Sequence, residues 1–109
     1  MTRTLLFLML IALTTLCSGC GGDGYAGSCF NTADRCVDFT GSAYDSSDVR
    51  DSCILEYSDD HCPSADRVGR CRYQAGSQVE NIHSFYSPGW EAAEAQNECE
   101  LGEGEWLGT

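Results

Sequence analysis

Apolar and polar positions are distributed very unevenly along the chain. Behind the short positive head Met1–Thr4 runs Leu5–Leu16, twelve apolar or hydroxylic residues without a charge. Beyond Gly24 no comparable run recurs, and apolar residues come in short alternating groups. "VGRCRYQ" and "QVENIHSFYS" alternate on either side of the turn cluster Ala75-Gly76-Ser77, which predicts a hairpin from Val68 to Tyr86. "CVDF", Cys36–Phe39, reads as a third strand. Ser87-Pro88 predicts a helix start, with Ser as cap, Pro at the first helical position and Glu91 and Glu94 at the positive end. The helix carries "GWEAAEAQNEC" and ends at Gly102 and Gly104. The expected architecture is therefore a small α+β domain, an antiparallel sheet of about three strands covered by two helices.

A second helical segment precedes the hairpin. "YDSSDVRDSC", Tyr44–Cys53, and "WEAAEAQNEC", Trp90–Cys99, each run from an aromatic to a cysteine, and Glu56-Tyr57 and Glu105-Trp106 follow them. With Cys36 and Cys71 ahead of the two helices, this reads as an internal duplication of strand, helix and short strand, too few copies for a solenoid. A matched pair of bridges, Cys36 to Cys53 and Cys71 to Cys99, would then leave Cys29 for Cys62. Six cysteines allow fifteen pairings, so the duplication alone selects this one.

The amino-terminal run is too short for a bilayer span, which needs about 20 apolar residues, and has the length of a secretory signal core. It leads into "LCSGCGG", Leu16–Gly22, where Ser18-Gly19-Cys20 resembles the lipobox of bacterial prolipoproteins; Cys17 stands where leucine is usual. The resemblance implies that Cys20 is acylated and becomes the mature terminus, that Cys17 leaves with the leader, and that Gly21 directs the protein to the outer rather than the inner membrane. Several acyl chains anchor a protein without any membrane-spanning helix. A plain signal peptide, giving a secreted protein, is the alternative. A redox role for Cys17-x-x-Cys20 would require a helix start after a strand, and nothing of that kind surrounds it. The expected organisation is a leader over 1–19, lipidated Cys20 and a flexible linker over 20–28, and a cysteine-rich domain over 29–109. The layout "CVDFTGS", "CP" and "VGRC" across residues 36–107 also resembles small cysteine-rich domains of uncharacterised bacterial lipoproteins, which implies a location and no chemistry.

An exported chain this short buries too little apolar surface to stand on its core alone. Cys29, Cys36, Cys53, Cys62, Cys71 and Cys99 are accordingly expected as three disulfides, each worth about 2–4 kcal/mol. No closely spaced cysteine pair of the zinc type exists among them, and "DDHC", Asp59–Cys62, reads as a polar turn. The charge is lopsided: 17 acidic residues face six arginines, and loss of Arg3 with the leader takes the formal charge from −11 to −12. That balance disfavours nucleic acid and anionic lipid surfaces as partners.

Catalytic constellations are thin. His61 lies in the polar turn and His83 in the hairpin, no G-x-S-x-G elbow is present, and nothing asks for a cofactor. Asp59-Asp60 and Glu98, Glu100, Glu103 and Glu105 could attract calcium, yet the EF-hand spacing is missing. Phe85, Tyr86, Trp90 and Trp106 are the candidate surface for a protein or glycan partner, with a domain core as their competing use. The sequence thus supports a tethered, stapled, non-catalytic binding or structural module. The alternative is a small inhibitor or effector exposing a loop such as Asp59–Arg67.

Overall fold

The computed structural model describes residues 25–109, so the leader, Cys17 and Cys20 lie outside the described residues. Eight elements follow in order: β1 (Ser28–Thr32), β2 (Arg35–Phe39), α1 (Ser46–Ser52), β3 (Glu56–Ser58), β4 (Arg67–Tyr73), β5 (Asn81–Tyr86), α2 (Ala92–Leu101) and β6 (Glu105–Gly108). The strands form one sheet in the order β3-β1-β2-β5-β4-β6, and every neighbouring pair is antiparallel.

The expectation of about three strands is overturned: the sheet has six. β3 and β6 lie on the short strands read at Glu56-Tyr57 and Glu105-Trp106 but join the same sheet, and β1 is the strand the pattern did not reveal. β1, SCFNT, is as long as β2 but has no apolar run like CVDF, and it becomes a strand because its neighbours β2 and β3 supply partners for its amides and carbonyls. The second helix also begins later than Ser87-Pro88 predicts. Ser87–Gly89 form a turn in which the Trp90 N–H donates to the Tyr86 carbonyl at 3.0 Å. Glu91 is the residue that caps α2, its own N–H donating to Glu94 Oε1 at 3.3 Å. The turn brings the Trp90 ring to 4.9 Å from that of Phe85, a contact a helix begun at Pro88 would not direct.

Strand order and direction reveal a repeat. β1-β2-α1-β3 and β4-β5-α2-β6 have the same connectivity, and the sheet reads as one unit followed by its mirror order. Val37 pairs with His83 at the junction, Cys36 with Ser84 on one side and Asp38 with Ile82 on the other, so a pseudo-twofold axis passes between Val37 and His83. Laying residues 37–53 over 83–99 without a gap matches Phe39 to Phe85, Tyr44 to Trp90, the caps Asp45 and Glu91, the buried Val49 and Ala95, and Cys53 to Cys99. The equivalent ring pairs Phe39–Tyr44 and Phe85–Trp90 both stack edge to face, at 4.9 Å and at 76° and 75°. Gly27 and Gly69, each two residues before a bridging cysteine, lie against the rings of the equivalent Tyr57 and Trp106; a Cβ would come within 2.8 Å and 2.1 Å of those rings.

The disulfides are Cys29–Cys53, Cys36–Cys62 and Cys71–Cys99. Only Cys71–Cys99 agrees with the pairing the sequence suggested. The matched bridge in the first unit starts from Cys29 on β1, because Cys29, and not Cys36, occupies the place of Cys71. Successive residues of a strand point to opposite faces, so Cys36 looks away from α1.

Paired residues share a face, and one row crosses all six strands: Tyr57, Cys29, Val37, His83, Cys71 and Trp106. Cys29 and Cys71 in that row are bonded to the ends of α1 and α2, so both helices cover this same face. Its core gathers Cys71, Phe85, Ala95 and Cys99 with Trp90, Trp106, Val68 and Tyr73 around them. The small α2 alanines let the helix approach closely, and fully burying Phe85 contributes about 2–3 kcal/mol. The opposite, back face carries no helix among the described residues.

Candidate functional site

Over the first unit the back face is covered by the chain itself. The β3–β4 connection crosses it and is fixed by Cys36–Cys62, which packs with Tyr86 and Phe30. The Ser28 hydroxyl donates to the Asp60 carbonyl at 2.6 Å. Asp38, nearly buried, accepts from the Cys62 N–H at 3.0 Å, and its Oδ1 lies 2.8 Å from the Tyr25 hydroxyl and 3.3 Å from His61 Nδ1. Burial, and then the hydrogen bond to Asp38, push the Tyr25 hydroxyl well above the ordinary phenol range. The Tyr86 hydroxyl donates to the Pro63 carbonyl at 2.7 Å. Beside this crossing a cleft of about 300 Å³ opens between Phe30, Glu56, Ser58 and His61.

Over the second unit the back face carries Arg67, Arg70 and Arg72 of β4. Arg70 and Arg72 are alternate residues and share a side by strand geometry. Arg67 joins them through a bulge: it pairs with Tyr86 while Gly69 pairs with Phe85, leaving Val68 unpaired and free to pack into the helix-side core. Ser84 lies directly across from Arg70. Its side chain is fully buried beside Tyr86, and its hydroxyl meets no partner within 3.5 Å; the Nε atoms of the three arginines are likewise buried without a hydrogen bond, that of Arg72 facing Glu80 Oε2 at 3.8 Å. These four are the only buried, unpartnered side-chain nitrogens or oxygens among the described residues. Arg72 lies 3.8 Å from both Glu80 and Glu105, whereas Arg67 and Arg70 have no carboxylate within 4.0 Å among the described residues. Glu80 is held below the usual carboxylate range chiefly by the Gly76 N–H, at 2.8 Å, and then by the Thr40 hydroxyl.

The residues singled out from sequence are dispersed by the fold. Phe85 and Trp90 belong to the helix-side core, Trp106 covers Gly69 on that side, and Tyr86 lies on the back face beneath Pro63. Phe85 and Tyr86 are 0% and 6% exposed, so the four aromatics form no common surface. His83 sits on the helix side, its Nδ1 accepting from Arg35 Nε at 2.9 Å. Burial, with Arg35 adding repulsion, lowers its pKa to about 4. Glu98 approaches Arg35 at 3.9 Å, Glu100 accepts from Gln96 and Glu105 turns to Arg72 on the back face, so the tail carboxylates do not converge. Among the described residues no group of three or more metal-ligating side chains gathers. The arginine face escaped the sequence reading because charge was summed over the chain; the spacing Arg70, Arg72 on a strand was the available signal.

The pseudo-twofold axis turns the two back faces into a direct comparison. It places Ser28 in the position of Arg70, and Asp38 in that of Ser84. In the first unit these groups are satisfied by Asp60 and Cys62 of the crossing segment. In the second, no segment among the described residues does the same for Arg70 and Ser84. Compared with protein-family models, curated proteins and solved structures, the chain matches none.

Proposed function

We propose that the protein is a non-catalytic binding module, stapled by disulfides and held at the outer membrane of a bacterial envelope through acylated Cys20. The observation that carries the location is the pairing of all six cysteines of the domain, since structural disulfides persist in oxidising compartments. The lipobox-like Ser18-Gly19-Cys20 supports the anchor. A binding role is supported by a back face on which charged and polar groups are gathered without partners. A non-catalytic reading is supported by the partners of the two histidines: His83 Nδ1 accepts from Arg35 Nε, and His61 Nδ1 lies 3.3 Å from Asp38 Oδ1, which also accepts from the Cys62 N–H.

A second reading, an inhibitor or effector, is favoured by the exposed segment from Pro63 to Asp66 beside the bridge at Cys62. A protease inhibitor would form a stoichiometric complex with its target and resist cleavage in this loop.

The intact mass of the protein from the membrane fraction of its host, with and without reduction before alkylation, tests the favoured reading. It expects a chain starting at acylated Cys20 with six thiols that react only after reduction. An unlipidated chain removes the anchor, and thiols that react unreduced remove the staples.

A further inference from the structure

We infer that the back face of the second unit, built on Arg67, Arg70, Arg72 and Ser84, binds an extended acidic polypeptide segment of a partner protein. The inference rests on the reading of the chain as a binding module, though not on its anchor.

Charge supplies the first argument. Three of the five arginines beyond the leader lie on one face of one strand, in a chain with 17 acidic residues, and two of them have no carboxylate neighbour. A guanidinium offers several N–H donors in a rigid fork suited to carboxylates, so leaving two unpaired on an otherwise acidic protein keeps them available. The net charge of the whole repels dense polyanions at long range and admits a segment whose charges are few and locally placed.

A row of buried polar atoms without hydrogen bonds marks the same patch. Burying a polar group without a hydrogen bond is unfavourable, and here all such atoms fall on one patch, with the fully buried Ser84 hydroxyl opposite Arg70. On the other flank Arg70 pairs with Gly108, where even an added Cβ would meet nothing within 4 Å, so the site is open beside it.

The third argument comes from the first unit. There the equivalent surface is covered by a peptide, and that peptide is acidic: Asp59-Asp60 lead into it, the Asp60 carbonyl sits on Ser28 and the Cys62 N–H on Asp38. The fold already accommodates a polypeptide across this face. On the second unit arginine replaces serine, and serine replaces aspartate, which moves the preference of the site from donors toward acceptors. An extended peptide repeats its side chains every second residue, about 6.8 Å apart, the spacing of Arg70 and Arg72 along β4.

The test follows the arginine Nε–Hε resonances of the purified, disulfide-intact protein by NMR. The protein is titrated with a synthetic peptide of alternating glutamate and serine, its glutamine counterpart, and inorganic phosphate. The expected result is saturable movement of the Arg67, Arg70 and Arg72 signals with the glutamate peptide alone, weakening as salt is added. Arg70→Gln should weaken binding about tenfold or more, and Arg70→Lys should restore only part of it, since the fork is lost. Equal responses to both peptides, or no movement of these signals, would overturn the site. Saturation by phosphate without a response to the glutamate peptide would replace it with a small-oxyanion site. If Arg70→Gln disturbs the backbone spectrum, Arg67→Gln provides the same comparison. The titration is indifferent to acylation, so a failed site and a failed anchor give separate results.

Discussion

The two ββαβ units share a skeleton and differ in what their back faces need. In the first, Ser28 and Asp38 are hydrogen-bonded to the β3–β4 crossing, which Cys36–Cys62 locks in place. In the second, Arg70 and Ser84 occupy the equivalent positions with their buried polar atoms unpaired. The two units present equivalent surfaces: the protein's own chain covers the first, and the second carries arginine where the first has serine. A buried polar group that is satisfied contributes to stability, and one that is not is retained at a cost.

Five substitutions in three experiments sharpen this comparison. The largest effect is expected at the equivalent phenylalanines of the helix side. Phe85 is fully buried and Phe39 only partly, so Phe85→Ala should destabilise by about 3–5 kcal/mol and Phe39→Ala by less than half of that. Urea unfolding measures both, and equal losses would mean that the units are packed alike.

The next effect tests the residues on the axis, Val37 and His83. The pKa of His83 is about 4 in the folded protein against an ordinary 6.5, so between these values the unfolded chain holds the extra proton. Stability from this group is therefore complete above about pH 6.5 and declines as the pH falls toward 4, by up to about 3 kcal/mol. His83→Gln, which keeps an acceptor for Arg35, should flatten that part of the pH profile relative to the parent protein. An unchanged profile would show that His83 is accessible to protons in the fold.

The smallest effect compares the back faces themselves. Asp38→Ala strips the Cys62 N–H of its acceptor and should cost about 1–3 kcal/mol, whereas Ser84→Ala removes an unpaired hydroxyl and should be neutral or stabilising. A loss at Ser84 as large as that at Asp38 would show that its hydroxyl is satisfied in solution.

Much of this organisation is legible along the chain. The hairpin from Val68 to Tyr86 alternates clearly, and the run from aromatic to cysteine marks both helices. Cys36 opens the apolar pattern "CVDF", whereas Cys29, in a strand of the same length, has no such pattern and follows a glycine-rich stretch. Matching Tyr44–Cys53 with Trp90–Cys99 already sets this register, which runs back without a gap to Val37 and His83; setting Cys36 against Cys71 hides it, because Cys71 lies on the preceding strand.

The sequence by itself determined the local preferences: where strands can alternate, where helices can be capped, and an even set of cysteines suited to an oxidising compartment. These depend on neighbours within a few residues. Tertiary structure alone decided the six-stranded order, two of the three bridges and the gathering of arginines on one face. Each depends on strand register, and register decides which face a side chain occupies: a single-residue bulge at Val68 is what turns Arg67 to the side of Arg70 and Arg72.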